Sequence, residues 1–439
     1  MSNTSIDLKT KLITAFQLFE GNLNGAANSA VHTVRKAAMH TFEQMGFPTT
    51  KHEEWKYSNV KDIINQDFKF NASTNFSASD IENLPIPNLE GNIIYVVNGV
   101  YNKDLSSIVS DTLEVQIQSF EEADFQHNEL FENYFNKYSD GAVNAFTALN
   151  TAFAQNGLLI NVPKGKVVAQ PIIIRYINDA RFENVASQPR NLIIVGENAD
   201  VQIAESYRSI GENKVFTNAF TEIYVAVSAN VHYYKIQNDT DLSYHVGTTS
   251  VLQQGKSVFT ANTITANGGF VRNNMHIKID GEHAEANMLG LYIPNNNQHV
   301  DNHTVVDHAK PNCESHELYK GILKDRSTGV FNGKIFVRED AQKTNAFQSC
   351  KNVLASPNAT MNTKPQLEIW ADDVKCSHGT TTGQLNDDAL FYMQARGISK
   401  PVAKSLLMLA FAQEVIDKME IPAIKAYLQV LIEEKISNS

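Results

Sequence analysis

Apolar positions recur with two different periods along this chain. Near the start they return every three or four residues: Leu8, Leu12, Ile13, Phe16 and Phe19 fall on one helical face. That pattern begins around Ser5, and a second helical stretch runs from Ser29 to Met45 before Gly46 and Pro48 stop it. Ser, Asn and Thr crowd residues Asn71 to Ser79, and Pro85 and Pro87 follow, which marks a linker or domain edge. Asn92 to Val97 reads as a buried strand, and His127 to Lys137 and Ala142 to Gln155 read as helices, the latter stopped by Asn156-Gly157. Gly157 to Val162 and Pro171 to Tyr176 are strand-like around a Pro-Lys-Gly turn.

From Asn191 to Glu368 the period changes to two. Segments opening at Ala199, Ala229, Lys256, Ala284 and Glu314 each start an alternating run, with Val201/Ile203, Val231/Tyr233, Val258/Thr260, Ala286/Met288 and His316/Leu318 as the repeated pairs. The starts lie about 27 to 30 residues apart, with Asn198, Asn238, Gly255 and Gly281 as corner residues. A parallel β-helix meets this description, because each coil buries its inward side chains against its neighbours. An antiparallel sandwich of short strands meets it too.

After Gly383 the helical period returns. Asp387-Asp388 open one helix that ends at Arg396-Gly397, a second starts at Ser399 with Pro401 in its first turn, and a third runs from Pro422 to about Ile436. The switch of period marks a separately packed unit. The second helix is apolar around much of its circumference from Leu406 to Phe411, more than one covered face requires, so part of it suits a partner. The expected division is residues 1–90 helical, 91–190 a mixed α/β lead-in, 191–383 the β core and 384–439 helical.

Composition narrows the class. With 439 residues, 42% of them hydrophobic, the chain can bury a large core. A formal charge of -11 argues against non-specific nucleic-acid binding, which needs a basic surface. Cys313, Cys350 and Cys376 form no C-x-x-C pair, so neither a disulfide framework nor a four-cysteine zinc site is expected. The first residues show no export pattern, and the apolar run Leu406 to Ala412 is too short to span a bilayer. A soluble protein of the reducing cytoplasm is expected.

Candidate chemistry is sparse. Cys376 and His378 stand two apart and would share a face if extended, so one metal ion or cluster could take both. Packing of the thiol and a hydrogen bond from the imidazole would explain them equally well. His299, His303, His308 and His316 surround Cys313, but on strands the five cannot converge, and some are expected inward on backbone groups and others in solvent. Gly255-Lys256-Ser257 looks like the end of a P-loop, yet Ser250 stands where the first glycine belongs and alternation continues through it. Trp55 and Tyr57 read as aromatic packing beside a loop. A β-helix enzyme acting on polysaccharide is the rival reading, but the central acids are scattered and no export pattern is present.

Several stretches together resemble one family. Asp372-Asp373-Val374-Lys375-Cys376-Ser377-His378-Gly379, Gly383-Gln384-Leu385, Asp387-Asp388-Ala389-Leu390-Phe391-Tyr392 and Arg396-Gly397-Ile398 resemble the C-terminal signature of the SufB/SufD scaffold family of the SUF iron-sulfur cluster assembly system. Glu53-Glu54-Trp55-Lys56-Tyr57, Val162-Pro163-Lys164-Gly165, Gln170-Pro171-Ile172 and Lys364-Pro365-Gln366-Leu367-Glu368-Ile369 match in the same order. The resemblance implies a mainly β fold, a right-handed parallel β-helix core flanked by N-terminal and C-terminal helical domains. It implies a non-catalytic scaffold that assembles and transfers clusters with a SufB-type sister scaffold on the β-helix and a SufC-type ABC ATPase on the C-terminal helices. The iron-sulfur cluster would be transient and shared with the partner, with His378 weighted above Cys376 among its candidate ligands. Whether the isolated chain is a monomer or a homodimer stays open.

Overall fold

A computed structural model describes residues 7–21, 29–70, 72, 74–82, 84, 86–125, 128–138 and 142–437. Ser5, Asn71, Pro85 and His127, named above, lie outside them. Between residues 158 and 383 the chain winds a parallel β-solenoid of about eight turns, each contributing one strand to each of two sheets. Sheet A stacks β1 (Leu158–Val162), β3 (Arg190–Val195), β5 (Val215–Val225), β7 (Ser243–Gln253), β9 (Phe270–Ile279), β11 (His299–His308), β13 (Thr328–Val337) and β15 (Thr360–Ile369). Sheet B stacks β2 (Ile172–Asp179), β4 (Asp200–Ile210), β6 (Asn230–Asn238), β8 (Val258–Asn267), β10 (Glu285–Tyr292), β12 (Glu314–Leu323), β14 (Asn345–Leu354) and β16 (Lys375–Gly383). Asn92–Val97 adds to the β2 edge in parallel, and Gln116–Ser119 pairs with β1 antiparallel.

The five repeat starts all lie at the openings of sheet B strands, and the parallel ladders decide against the sandwich. Alternation revealed only one strand per turn, because β5 and β7 are covered on both faces and so lose their polar side. What covers them is helical. Helix α1 (Leu8–Gly21) packs Leu8, Leu12 and Phe16 against Met39 and Phe42 of α2 (Ala30–Met45) and Leu149 of α3 (Ala145–Ala152). Ser29 caps α2 by accepting from the His32 amide, and Gly46 ends it with φ 61°. Asn150 of α3 then donates to the Pro189 carbonyl at 2.9 Å and the Asn218 carbonyl at 2.7 Å, pinning the helix to sheet A.

Of the expected corner residues, Asn198 stands at a corner and Gly255 beside one, whereas Asn238 is the last residue of β6. Two residues before successive sheet B strands, Asn198, Ser228, Lys256, His283, Asn312 and Lys343 all adopt φ between 58° and 61°. Asn198, Asn312 and His283 are of types that visit this left-handed region more readily than Ser228, Lys256 and Lys343 do. Stacking of each coil on the next imposes it on the others. Gly255 and Gly281 serve a different need: a Cβ on Gly281 would stand 2.0 Å from the Gly255 amide nitrogen, so two backbones meet where no side chain fits. The Gly255-Lys256-Ser257 segment is therefore a corner between β7 and β8, with a strand on either side.

At the other end α4 (Asp387–Ala395), α5 (Lys400–Ile416) and α6 (Pro422–Ser437) follow β16. They are not a separately packed unit. Met408, Val415 and Ile416 of α5 and Ile424, Leu428 and Ile432 of α6 form one apolar cluster with Ala204, Tyr234, Ile236, Ile264 and Leu291 on the outer face of sheet B. Each such aliphatic side chain contributes roughly 1.5–3 kcal/mol on burial, so sheet and helices stabilise each other. Lys320 and Lys324 reinforce the contact by donating to the Phe411 and Lys435 carbonyls at 2.8 and 2.7 Å. No helix is long and apolar enough to cross a membrane among the described residues.

Candidate functional site

The solenoid ends without a lid. Residues of β15 and β16 are exposed or half-buried throughout, whereas the strands beneath them are mostly buried. Cys376 and His378 sit on β16, paired with Ala346 and Gln348 of β14. Both partners are buried, so the thiol and the imidazole share the inward side of the last coil, as the extended spacing required.

One inward ladder explains the chemistry below His378. It runs Ile172, Ile203, Tyr233, Ala261, Met288, Glu317, Gln348, His378. The first five are packed in the solenoid core, and the last three are polar. Gln348 donates its Nε2 to Glu317 Oε2 at 2.6 Å. Glu317 Oε1 and Gln348 Oε1 find no protein partner although both are buried. Burial pushes the Glu317 carboxyl up to about 7, opposed by the hydrogen bond it accepts from Gln348. This ladder thus turns hydrophilic over the final coils, and His378 stands in solvent at the mouth.

Cys376 is half-buried beside Ala346 and Ile335, and burial raises its thiol above the ordinary value. Cys350, next to Tyr292 and Asn352 in the core, is pushed up to about 12 by burial. Cys313 is buried at a corner and donates to the Gly281 carbonyl at 3.2 Å. Among the described residues no group of three or more His, Cys, Asp or Glu is placed to hold a metal ion. Cys376 and His378 are therefore at most part of a ligand set.

Cys313 and the four histidines around it do not converge, and the partners of the histidines are side chains more than backbone. His299 Nε2 meets Ser58 Oγ at 2.8 Å, His308 Nε2 meets Ser315 Oγ at 2.9 Å, and exposed His316 stacks on Phe347. His303 lies between Glu54, at 3.4 Å, and Asp301, at 3.0 Å. The N-terminal Glu53-Glu54-Trp55-Lys56-Tyr57 motif thereby docks on sheet A. Glu54 also pairs with Lys334, Glu53 with Lys364, and buried Trp55 lies over the Arg272 guanidinium at 3.8 Å. Tyr57, expected to pack, is exposed. Sequence reading missed the carboxylates, whose partners lie more than two hundred residues away.

Outside sheet B, a groove of about 670 Å³ reaches His378 from the α5–α6 loop. His232, His316, Phe347 and Glu420 line it, and His232 stands 3.5 Å from Glu420.

Comparison with known proteins places these features in context. Residues 176–411 match the model for the SUF system FeS cluster assembly SufBD core domain, and residues 6–174 match the SufBD protein N-terminal region. An iron-sulfur cluster assembly SufBD family protein of Synechocystis is 29% identical over 93% of this chain and 91% of its own length. The iron-sulfur cluster assembly protein SufD of Escherichia coli is 29% identical over 89% of this chain and 90% of its own. Protein ABCI7, chloroplastic, of Arabidopsis thaliana is 33% identical over 62% and 59%.

Proposed function

We infer the role of this chain from its kinship: it belongs to the SufBD family of the SUF system for iron-sulfur cluster assembly. It acts as a SufD-type scaffold without catalysis of its own, in the cytoplasm, beside a SufB-type sister and a SufC-type ATPase. The observation that carries this reading is the open last coil. β16 leaves one edge unpaired and presents Cys376 and His378 toward the mouth of the core, with no third ligand beside them among the described residues. A second scaffold pairing at that edge would supply the missing ligands, since an exposed strand is a template for another. The cluster is cargo, held transiently between subunits, and imidazole is a suitable iron ligand beside thiolates.

The ATPase docks on the C-terminal helices. Phe391 and Tyr392 of α4 and Val402 and Leu406 of α5 are exposed, although α5 buries its opposite face on sheet B. Movement of these helices would reach the cluster end directly, because α4 follows β16 after three residues.

The test is co-expression with the sister scaffold and ATPase, followed by iron and sulfide analysis of the purified complex. His378→Ala is expected to assemble normally and to lose cluster content more severely than Cys376→Ala. Normal cluster content in His378→Ala would make the motif structural.

A further inference from the structure

Beneath α5 the outer face of sheet B changes character along one ladder, which runs Ile264, Leu291, Lys320, Lys351, Thr381 from coil to coil. Ile264 and Leu291 are buried in the apolar cluster that holds the C-terminal helices. Lys320 is only 3% exposed, yet it carries an ammonium into that interface. Its Nζ donates to the Phe411 carbonyl at 2.8 Å, lies 4.2 Å from the centre of the Phe411 ring and pairs with Glu414. All three contacts are on α5. An apolar residue would hold the helix without the cost of desolvating a charge, and replacing buried charges by packed apolar side chains is often neutral or stabilising. What a buried ammonium adds is register, because its hydrogen bonds fix where on the sheet the helix lies.

The strand that carries Lys320 also reaches the cluster end. Glu317 stands three residues earlier on β12 and faces the opposite way, into the solenoid, where it accepts from Gln348. The neighbour of Gln348 on β16 is His378. Val402 and Leu406, on the same helix as Phe411 and Glu414, are exposed. Contacts therefore run without a gap from the exposed helical patch through Lys320 into β12, and from β12 through Gln348 to the open mouth. Glu414 is half-exposed, so removing the Lys320 ammonium strands no buried charge in the interface.

We propose that Lys320 is the positioning residue that ties α5 to the last coils, so that displacement of α5 by the ATPase is passed to β16 and changes access to Cys376 and His378. That role rests on ATPase docking at α4 and α5, and adds the residue through which docking acts. A side chain that merely supported the helix would be replaceable by an apolar one of similar length, whereas a registering one would not.

The test follows Cys376 in the complex with the sister scaffold and the ATPase, by N-ethylmaleimide alkylation and peptide mass spectrometry, with and without a non-hydrolysable ATP analogue. Cys313 and Cys350 are buried and serve as internal references. In the parent the nucleotide should change the Cys376 rate about fivefold or more, the low end of typical coupling between sites. Lys320→Met should keep the ATPase and its melting temperature, while the nucleotide response falls below about twofold. Lys320→Arg, which keeps the charge and the donors, should retain the response. A full response in Lys320→Met, loss of the ATPase from that variant alone, or an ATPase-bound parent whose Cys376 ignores nucleotide each overturns the role of Lys320. A parent that fails to bind the ATPase overturns the docking reading itself, and this role with it.

Discussion

Inside the solenoid, one coil below His378, Gln348 donates to Glu317 at 2.6 Å and leaves the second carboxylate oxygen of Glu317 without a partner. A carboxyl in that position is held protonated through part of the neutral range by burial.

Stability should therefore depend on pH through Glu317. Its ordinary value is 4.5 and its folded value is about 7. Between these the folded chain keeps a proton that the unfolded chain has released. Its contribution is full below about 4.5, is lost as pH rises toward 7, and is flat above. Glu317→Gln keeps the acceptor for Gln348 and removes the titration. Denaturant unfolding at pH 5 and pH 8 should show the variant gaining on the parent at the higher pH by on the order of 2 kcal/mol. A parent-to-variant difference that stays constant across that window would refute the assignment.

Glu54 titrates in the other sense. Hydrogen bonding to His303, then Lys334, holds its carboxyl down at about 2 despite burial. The stabilisation is present above the unfolded value of 4.5 and is lost as pH falls toward 2. Glu54→Gln should lower stability at pH 7 by about 1 kcal/mol, discounted because the side chain is half-exposed. Limited proteolysis should then release the N-terminal segment faster than in the parent.

Gly281→Ala should be among the most damaging single-methyl additions in the chain. The new Cβ would meet the Gly255 backbone, which cannot move aside as a side chain would. A loss of about 2–4 kcal/mol in denaturant unfolding is expected, whereas Gly379→Ala, with no atom near its Cβ position, should cost far less.

The helical patch should separate docking from folding. Phe391→Asp and Leu406→Asp change side chains that are 74% and 44% exposed. Both should abolish co-purification with the ATPase while moving the melting temperature of the isolated chain by no more than a degree or two. Retained co-purification would put the docking surface elsewhere.

Local chemistry is what the sequence decided by itself. The period of three to four at both ends, Ser29 as a helix start, Gly46 as a stop and the repeat starts at Ala199, Ala229 and Lys256 are written in neighbouring residues, so they were legible directly. The pairing of Cys376 with His378 on one face follows from the strand's period alone. Tertiary structure decided the rest. Stacking forces Ser228, Lys256 and Lys343 into left-handed corners against their own preference, and covers both faces of β5 and β7 so that their alternation disappears. It sorts the histidines by which surface each coil turns outward, and joins Glu54 to His303 and Lys334 across most of the chain. Electrostatic attraction and burial act through space, and a linear pattern holds no record of which distant residues folding will bring within reach.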